Sequence, residues 1–169
     1  MKSRRIAIAA AITYLAASTV IMDTRATTDD DDFRHGLSAF NTGDWATAFK
    51  FWSSLAERGE PRSEAGIGFM YHRGLGVAVD DREAAVWLRR AAEHGQAEGQ
   101  LMLGILFYYG RGVEQSYVRA YAWCELAEIN GNGDATLCRD AALESMTDAA
   151  REEAFRLTVE LQERQHPRR

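Results

Sequence analysis

The sequence predicts an all-α fold: a short right-handed solenoid of helix-turn-helix repeats, closed by a C-terminal capping helix. Residues 65–136 contain one 36-residue unit written twice, and their apolar residues recur at helical spacing without strand-like alternation. A period of this length is typical of solenoids, in which a single helix pair cannot bury its apolar face alone. At this offset the two copies match at eight pairs of positions: Gly68/Gly104, Gly74/Gly110, Gly76/Gly112, Val77/Val113, Ala84/Ala120, Trp87/Trp123, Ala91/Ala127 and Gly95/Gly131.

The first helix of each unit is predicted from an apolar face that ends at a glycine-rich loop. Ile67, Gly68 and Tyr71 share one helical face, and Phe107 is the aromatic counterpart of Tyr71 in the second copy. Gly68 has no side chain, so a neighbouring helix can approach closely. The Gly-x-Gly-Val run that begins at Gly74 then predicts a helix end with positive φ angles, which glycine adopts at little steric cost.

The second helix of each unit is predicted from a cap followed by a helical stripe. Asp80 and Glu83 match a capping box, in which each side chain accepts a hydrogen bond from the other residue's backbone N–H. The stripe that follows keeps helical spacing through Ala84, Trp87 and Leu88.

Together these features resemble the Sel-one-like repeat (SLR) family, a branch of the tetratricopeptide repeat (TPR) superfamily. The pattern is Leu/Ile-Gly-x-x-Tyr/Phe, Gly-x-Gly-Val, Ala-x-x-Trp and a closing Ala-x-x-x-Gly, and the resemblance covers about residues 33–165. It implies a helical repeat fold, and an export signal is common in bacterial members.

The N-terminus is predicted to be a secretory signal peptide, residues 1–26, cleaved after Ala26. A basic start at Lys2, Arg4 and Arg5 precedes an uncharged, mostly apolar run over 6–22, and small residues stand at Thr24 and Ala26. The alternative is an uncleaved anchor, for which the run is short. Cleavage implies a periplasmic or secreted protein that does not span the membrane when mature.

Charge argues against nucleic acid as a partner. Removing residues 1–26 takes away four basic residues and one acid, so the net charge falls from −5 to −8. No basic stripe is left to replace the counterions of a polynucleotide.

The rest of the chain divides at the repeat boundaries. Residues 27–32 are expected to be an acidic, disordered N-terminus, and 166–169 a frayed tail. Between them lie a divergent first repeat with a short Gly43-Asp44-Trp45 turn, two full repeats and the capping helices; their ranges are about 33–60, 61–96, 97–132 and 134–165.

Cys124 and Cys138 are the only cysteines, and two interpretations remain open for them. A helical hairpin centred near Asn132 brings them roughly level, so they can form a disulfide; otherwise they are two small core residues. The four histidines have no partners at ligand spacing, so neither a metal nor another cofactor is expected.

The sequence favours a non-catalytic scaffold or adaptor of the bacterial cell envelope that binds a peptide or protein on the concave face lined by the first helices. The partner's identity is not encoded in any motif, but the candidate face is Arg62, Phe69, Arg73, Glu98, Ile105 and Tyr109. The alternative is a β-lactam-binding or hydrolysing enzyme, as assigned to cysteine-rich relatives in the wider family. The sequence argues against this alternative, because it lacks the Ser-x-x-Lys motif that supplies the nucleophile of such enzymes. Lys50 is the only lysine outside residues 1–26, and no serine stands three residues before it.

Overall fold

The computed structural model describes residues 28–166, and this part of the chain contains eight α-helices and no strand. Helix α1 is helical from residue 28 to residue 41. The helices that follow are α2 (Trp45–Glu57), α3 (Pro61–Arg73), α4 (Asp81–Glu93), α5 (Ala97–Tyr109), α6 (Tyr117–Ile129), α7 (Ala135–Glu144) and α8 (Asp148–Gln165). The predicted signal peptide lies outside the described residues, as does most of the predicted C-terminal tail.

The helices stack in the order in which they occur in the chain. Each helix from α2 to α6 packs on the next one, the first helices α3, α5 and α7 contact one another in series, and α8 packs on α6. First helices therefore line one side of the stack and second helices the other. This arrangement confirms the predicted all-α repeat solenoid.

The glycine loops have the predicted backbone conformation and also join neighbouring units. Gly110 ends α5 with a φ of 67°, and Gly112 follows with a φ of 68°. A Cβ atom on Gly112 would collide with the carbonyl oxygen of Asp81, the first residue of α4. One unit earlier, a Cβ on Gly76 would lie 3.0 Å from the carbonyl oxygen of Trp45, the first residue of α2. Each loop is thus seated on the start of the preceding second helix.

Close helix packing occurs at the repeated small residues. A Cβ on Gly68 would lie 2.6 Å from Cγ of Leu88, and one on Gly104 would collide with Sγ of Cys124. Ala84 and Ala120 are fully buried on the facing helices. Within each unit, the two helices are therefore held together by close backbone approach as well as by large side chains.

Only one of the two hydrogen bonds of the predicted capping box is present at the start of α4. Asp80 accepts hydrogen bonds from the backbone N–H groups of Arg82 and Glu83, at 2.9 and 3.1 Å, so its role as N-cap is confirmed. Its own N–H, however, donates to the carbonyl oxygen of Tyr71 at 3.0 Å rather than to Glu83. The loop folds back on the preceding helix, and this contact takes the donor that a capping box would use.

The predicted disorder of the acidic N-terminus is wrong for residues 28–32, which are helical. Asp29 contacts Arg58 at 2.5 Å, and Asp30 contacts Arg62 at 3.1 Å. The acids are thus paired with α3 and with the residue that follows α2, and α1 begins before the expected boundary at residue 33.

The C-terminal end is closed by a polar network as well as by apolar packing. The fully buried Gln100 side chain donates to the carbonyl oxygen of Ala92 at 3.2 Å, and its Oε1 accepts from Asn130 at 2.9 Å. Gln165, in the last turn of α8, donates to the same Ala92 carbonyl oxygen at 2.7 Å. None of the described helices has the length and apolar character that crossing a bilayer requires.

Candidate functional site

The first-helix face carries two grooves. The α1–α3–α5 groove has a volume of about 370 Å³ and is lined by Phe33, Phe40, Trp52, Arg62, Ala65, Gly66, Phe69, Gln96, Glu98 and Met102. The α5–α7 groove has a volume of about 350 Å³ and is lined by Leu101, Ile105, Tyr108, Tyr109, Asp134, Leu137, Cys138 and Ala141.

An aromatic cluster builds the α1–α3–α5 groove. The Trp52 ring occupies the space left by two glycines, since a Cβ on Gly66 would lie 2.7 Å from it and one on Gly36 would collide with it. Phe33 stacks on Trp52 with ring centroids 5.8 Å apart, and the Trp52 indole N–H donates to the Phe33 carbonyl oxygen at 3.3 Å. The wall is therefore made of rings whose positions are fixed by packing.

Arg62 sits at one end of this groove as a fixed positive charge. Its guanidinium lies 4.1 Å from the centroid of the Phe33 ring and donates to Glu60 at 2.7 Å. Burial acts to raise the pKa of Glu60, but hydrogen bonds from Arg62 and Ser63 outweigh it and leave that pKa below its ordinary value of 4.5. The Glu60–Arg62 pair consequently stays ionised over the neutral range.

The α5–α7 groove is bounded by a disulfide between Cys124 and Cys138, whose Cα atoms are 6.0 Å apart. The sequence left open whether these cysteines form a disulfide or are two small core residues, and in the structure they form the disulfide. It links α6 to α7 and so fixes one wall of the groove. Tyr109 and Leu137 stand at its mouth, with 66% and 80% of their surfaces exposed.

The structure distributes the six predicted binding residues over both grooves. Arg62, Phe69 and Glu98 line the α1–α3–α5 groove, Ile105 and Tyr109 line the other, and Arg73 lines neither. Whether these residues bind a partner stays a prediction.

Sequence reasoning missed several of the groove residues. In the α1–α3–α5 groove these include Phe33, Phe40 and Met102, and in the α5–α7 groove Tyr108 and Leu137. A signal existed for one pair, because Phe33 and Phe40 are seven residues apart and so share a helical face. Leu137 of α7 is apolar but largely exposed, whereas Ala135 and Ala142 of the same helix are buried.

Outside the grooves, several ionisable groups form structural contacts. Nδ1 of His72 lies 2.6 Å from the carboxylate of Asp81, which also accepts from Arg111 at 2.9 Å across the repeat boundary. Within residues 28–166, no three His, Cys, Asp or Glu side chains gather in a group able to hold a metal ion. The grooves themselves offer mainly apolar and aromatic surface, which suits binding.

Comparison with known proteins identifies the repeats. The Sel1 repeat family model matches residues 61–96 and 97–132. A crystal structure of c5321, described as a protective antigen of uropathogenic Escherichia coli strains displaying an SLR fold, superimposes with a TM-score of 0.78 at 29% identity, over 82% of this chain and 31% of that one. A Sel1 repeat protein from Oxalobacter formigenes gives a TM-score of 0.51 at 29% identity, over 53% of this chain and 37% of that one.

The chain thus spans about a third of the length of both structures. A comparison with curated proteins finds no match. The family model and the shared fold both agree with the 36-residue period: the chain contains two Sel1 repeats, and its helical solenoid is similar to SLR folds, which generally serve protein–protein interaction.

Proposed function

We propose that this chain is a non-catalytic adaptor of the bacterial cell envelope that binds a peptide or protein partner on its first-helix face. The observation that carries the proposal is the pair of grooves on that face, lined by aromatic and aliphatic side chains. Interfaces are enriched in such residues at their centres, where a few aromatic anchors commonly supply most of the binding energy.

Two residues are assigned as anchors, one in each groove. Phe69 is half-buried in the α1–α3–α5 groove, with its ring centroid 6.0 Å from that of Phe40. Tyr109 is exposed in the α5–α7 groove, with its ring centroid 4.9 Å from that of Tyr108. Both rings pack on a neighbouring ring, so little side-chain freedom remains to be lost on binding.

The experiment compares partner capture by the mature protein and by two double variants. In Phe69→Ala with Tyr109→Ala, capture from envelope extract should fall about a hundredfold or more, since truncating a hot spot costs about 2 kcal/mol or more. The control, Ile129→Ala with Val159→Ala, removes apolar side chains that are 51% and 54% exposed and that line neither groove. Capture that is equally strong for both double variants, at unchanged helical CD, would contradict the proposal.

The envelope location rests on the predicted signal peptide and is supported by the disulfide, because such bridges persist in oxidising compartments. We expect a mature N-terminus at Thr27 in the periplasmic fraction or the medium. Cell fractionation followed by N-terminal sequencing checks this, and an intact 169-residue chain in the cytosol would refute it.

A further inference from the structure

The second helices form a furrow on the side of the stack opposite the two grooves. It consists of three adjoining cavities of about 250, 250 and 430 Å³, which all include Glu93 in their walls. We call it the arginine furrow and define it by Arg82, Val86, Arg89 and Glu93 of α4, Phe107 of α5, Arg119 and Trp123 of α6, and Leu157, Leu161 and Arg164 of α8.

Three arginines of the furrow lack an acidic partner. No carboxylate oxygen of the described chain lies within 4.0 Å of the guanidinium groups of Arg82, Arg89 or Arg119. Eight other arginines do form such ion pairs: Arg34, Arg58, Arg62, Arg90, Arg111, Arg139, Arg151 and Arg164. Two further described arginines, Arg73 and Arg156, also have no such ion pair, so three of the five unpaired arginines lie along this furrow, in a chain with a net charge of −5. The furrow also contains the carboxylate of Glu93, so its excess of unpaired positive charge is two.

Two of these guanidinium groups lie within cation–π distance of one aromatic ring. The Cζ atoms of Arg89 and Arg119 lie 5.9 and 5.5 Å from the centroid of the Phe107 ring, which is itself 3% exposed. Cation–π contact at this distance restrains an arginine while leaving its N–H donors available. The two charges thus flank a common point in the furrow and can each bind a carboxylate through two parallel hydrogen bonds.

The furrow also provides apolar surface beside the charges. Trp123, Leu157 and Leu161 line the same cavities as Arg89 and Arg119. A ligand that fits both features has acidic side chains beside an aliphatic one. A nucleic acid fits less well, because its uniform negative charge would also meet the acidic surface outside the furrow.

We propose that the arginine furrow binds an acidic peptide segment that contains an aliphatic residue, with Arg89 and Arg119 as the carboxylate-binding residues. This site is separate from the first-helix face, so the protein has two sides with different ligand chemistry. An adaptor with two such sides can hold two segments at once.

The test uses a fluorescein-labelled peptide, EDELEDE, whose binding to the whole mature protein is followed by fluorescence anisotropy. In Arg89→Gln with Arg119→Gln, the dissociation constant should rise about tenfold or more, because two charge-assisted contacts are lost. The control is Arg73→Gln with Arg156→Gln, which removes the same charge from arginines outside the furrow. Phe69→Ala with Tyr109→Ala should bind the peptide as the wild type does, so failure here is distinct from failure of the first-helix proposal.

The location is checked independently of any variant by the indole N–H resonance of Trp123, which should shift on titration with the peptide. Equal weakening in the Arg89/Arg119 and Arg73/Arg156 variants would overturn the proposal, because it would show only the effect of overall charge. So would the absence of wild-type binding at about 1 mM peptide, which corresponds to about 4 kcal/mol of binding free energy. Displacement of the peptide by a lower concentration of oligo-dT would overturn it in favour of a nucleic-acid surface.

Discussion

Replacing Gly112 by alanine tests the seating of the glycine loop on α4. With a φ of 68°, an alanine here costs about 1–2 kcal/mol in backbone strain alone. Its Cβ would also collide with the Asp81 carbonyl oxygen and lie 2.7 Å from the Arg82 nitrogen. These are backbone atoms and cannot rotate away, so the loop must move, which adds about 1–3 kcal/mol. The expected loss in unfolding free energy is about 2–5 kcal/mol in total.

Gly131→Ala provides the matched control, because Gly131 also has a positive φ, 96°, but a Cβ there meets nothing within 4 Å. Urea unfolding followed by far-UV CD should show Gly112→Ala to be about 2 kcal/mol less stable than Gly131→Ala. For a chain of this size that difference corresponds to roughly 4–8 °C in melting temperature. Equal destabilisation of the two variants would refute the argument that close backbone approach, beyond glycine conformation, is required at Gly112.

Two further predictions concern the disulfide and the carboxylates. Cys124→Ser with Cys138→Ser should lower the unfolding free energy by about 3 kcal/mol, since the bridge closes a loop with a sequence separation of 14; oxidised wild type that unfolds at the same urea concentration as the variant would contradict this. The unfolding free energy should also decrease as the pH is lowered below about 4.5, because the pKa values of Glu60 and Asp81 are lowered from 4.5 and 3.8 in the folded chain. Burial raises the pKa of Asp81, but hydrogen bonds from His72 and Arg111 outweigh it. The stabilisation from both groups is therefore present above their unfolded pKa values and lost as pH falls through the folded ones. Asp81→Asn should show a shallower decline in urea midpoint between pH 5 and pH 3, and an unchanged slope would argue against the ion pairs.

The repeat architecture could be predicted because each unit constrains the other. Gly110 and Gly112 stand 36 residues after Gly74 and Gly76, and all four have positive φ angles. A backbone requirement that recurs at a fixed offset is visible in one sequence without any structure. The helix pairs and their order followed from the same periodicity.

What could not be predicted depends on contacts between residues distant in sequence. Asp29 and Asp30 form an acidic run whose composition suggests solvation, yet their partners Arg58 and Arg62 lie 29 and 32 residues away. The exposure of Leu137 was missed for a related reason. The capping helices, residues 134–165, have no Gly-x-Gly-Val loop, so no second copy of the repeat shows which face of α7 is buried. The grooves likewise combine residues of different helices, four in the α1–α3–α5 groove and two in the α5–α7 groove, and only Phe33 and Phe40 had a local signal.

The docking of each glycine loop on the preceding helix start sets a rule for how such a protein can lengthen. Gly76 packs on Trp45 and Gly112 packs on Asp81, so both the glycine loop and the helix start that it contacts recur after 36 residues. A duplication of 36 residues inserted between Gln96 and Ala97 would reproduce both halves of the contact and leave every existing junction intact. An insertion that is not a whole number of units, placed in a helix between a loop and the helix start on which it packs, would change the 36-residue spacing on which the contact depends. Proteins of this architecture are therefore expected to lengthen by whole 36-residue repeats. An insertion that breaks this spacing would first disrupt the backbone contacts of Gly76 and Gly112.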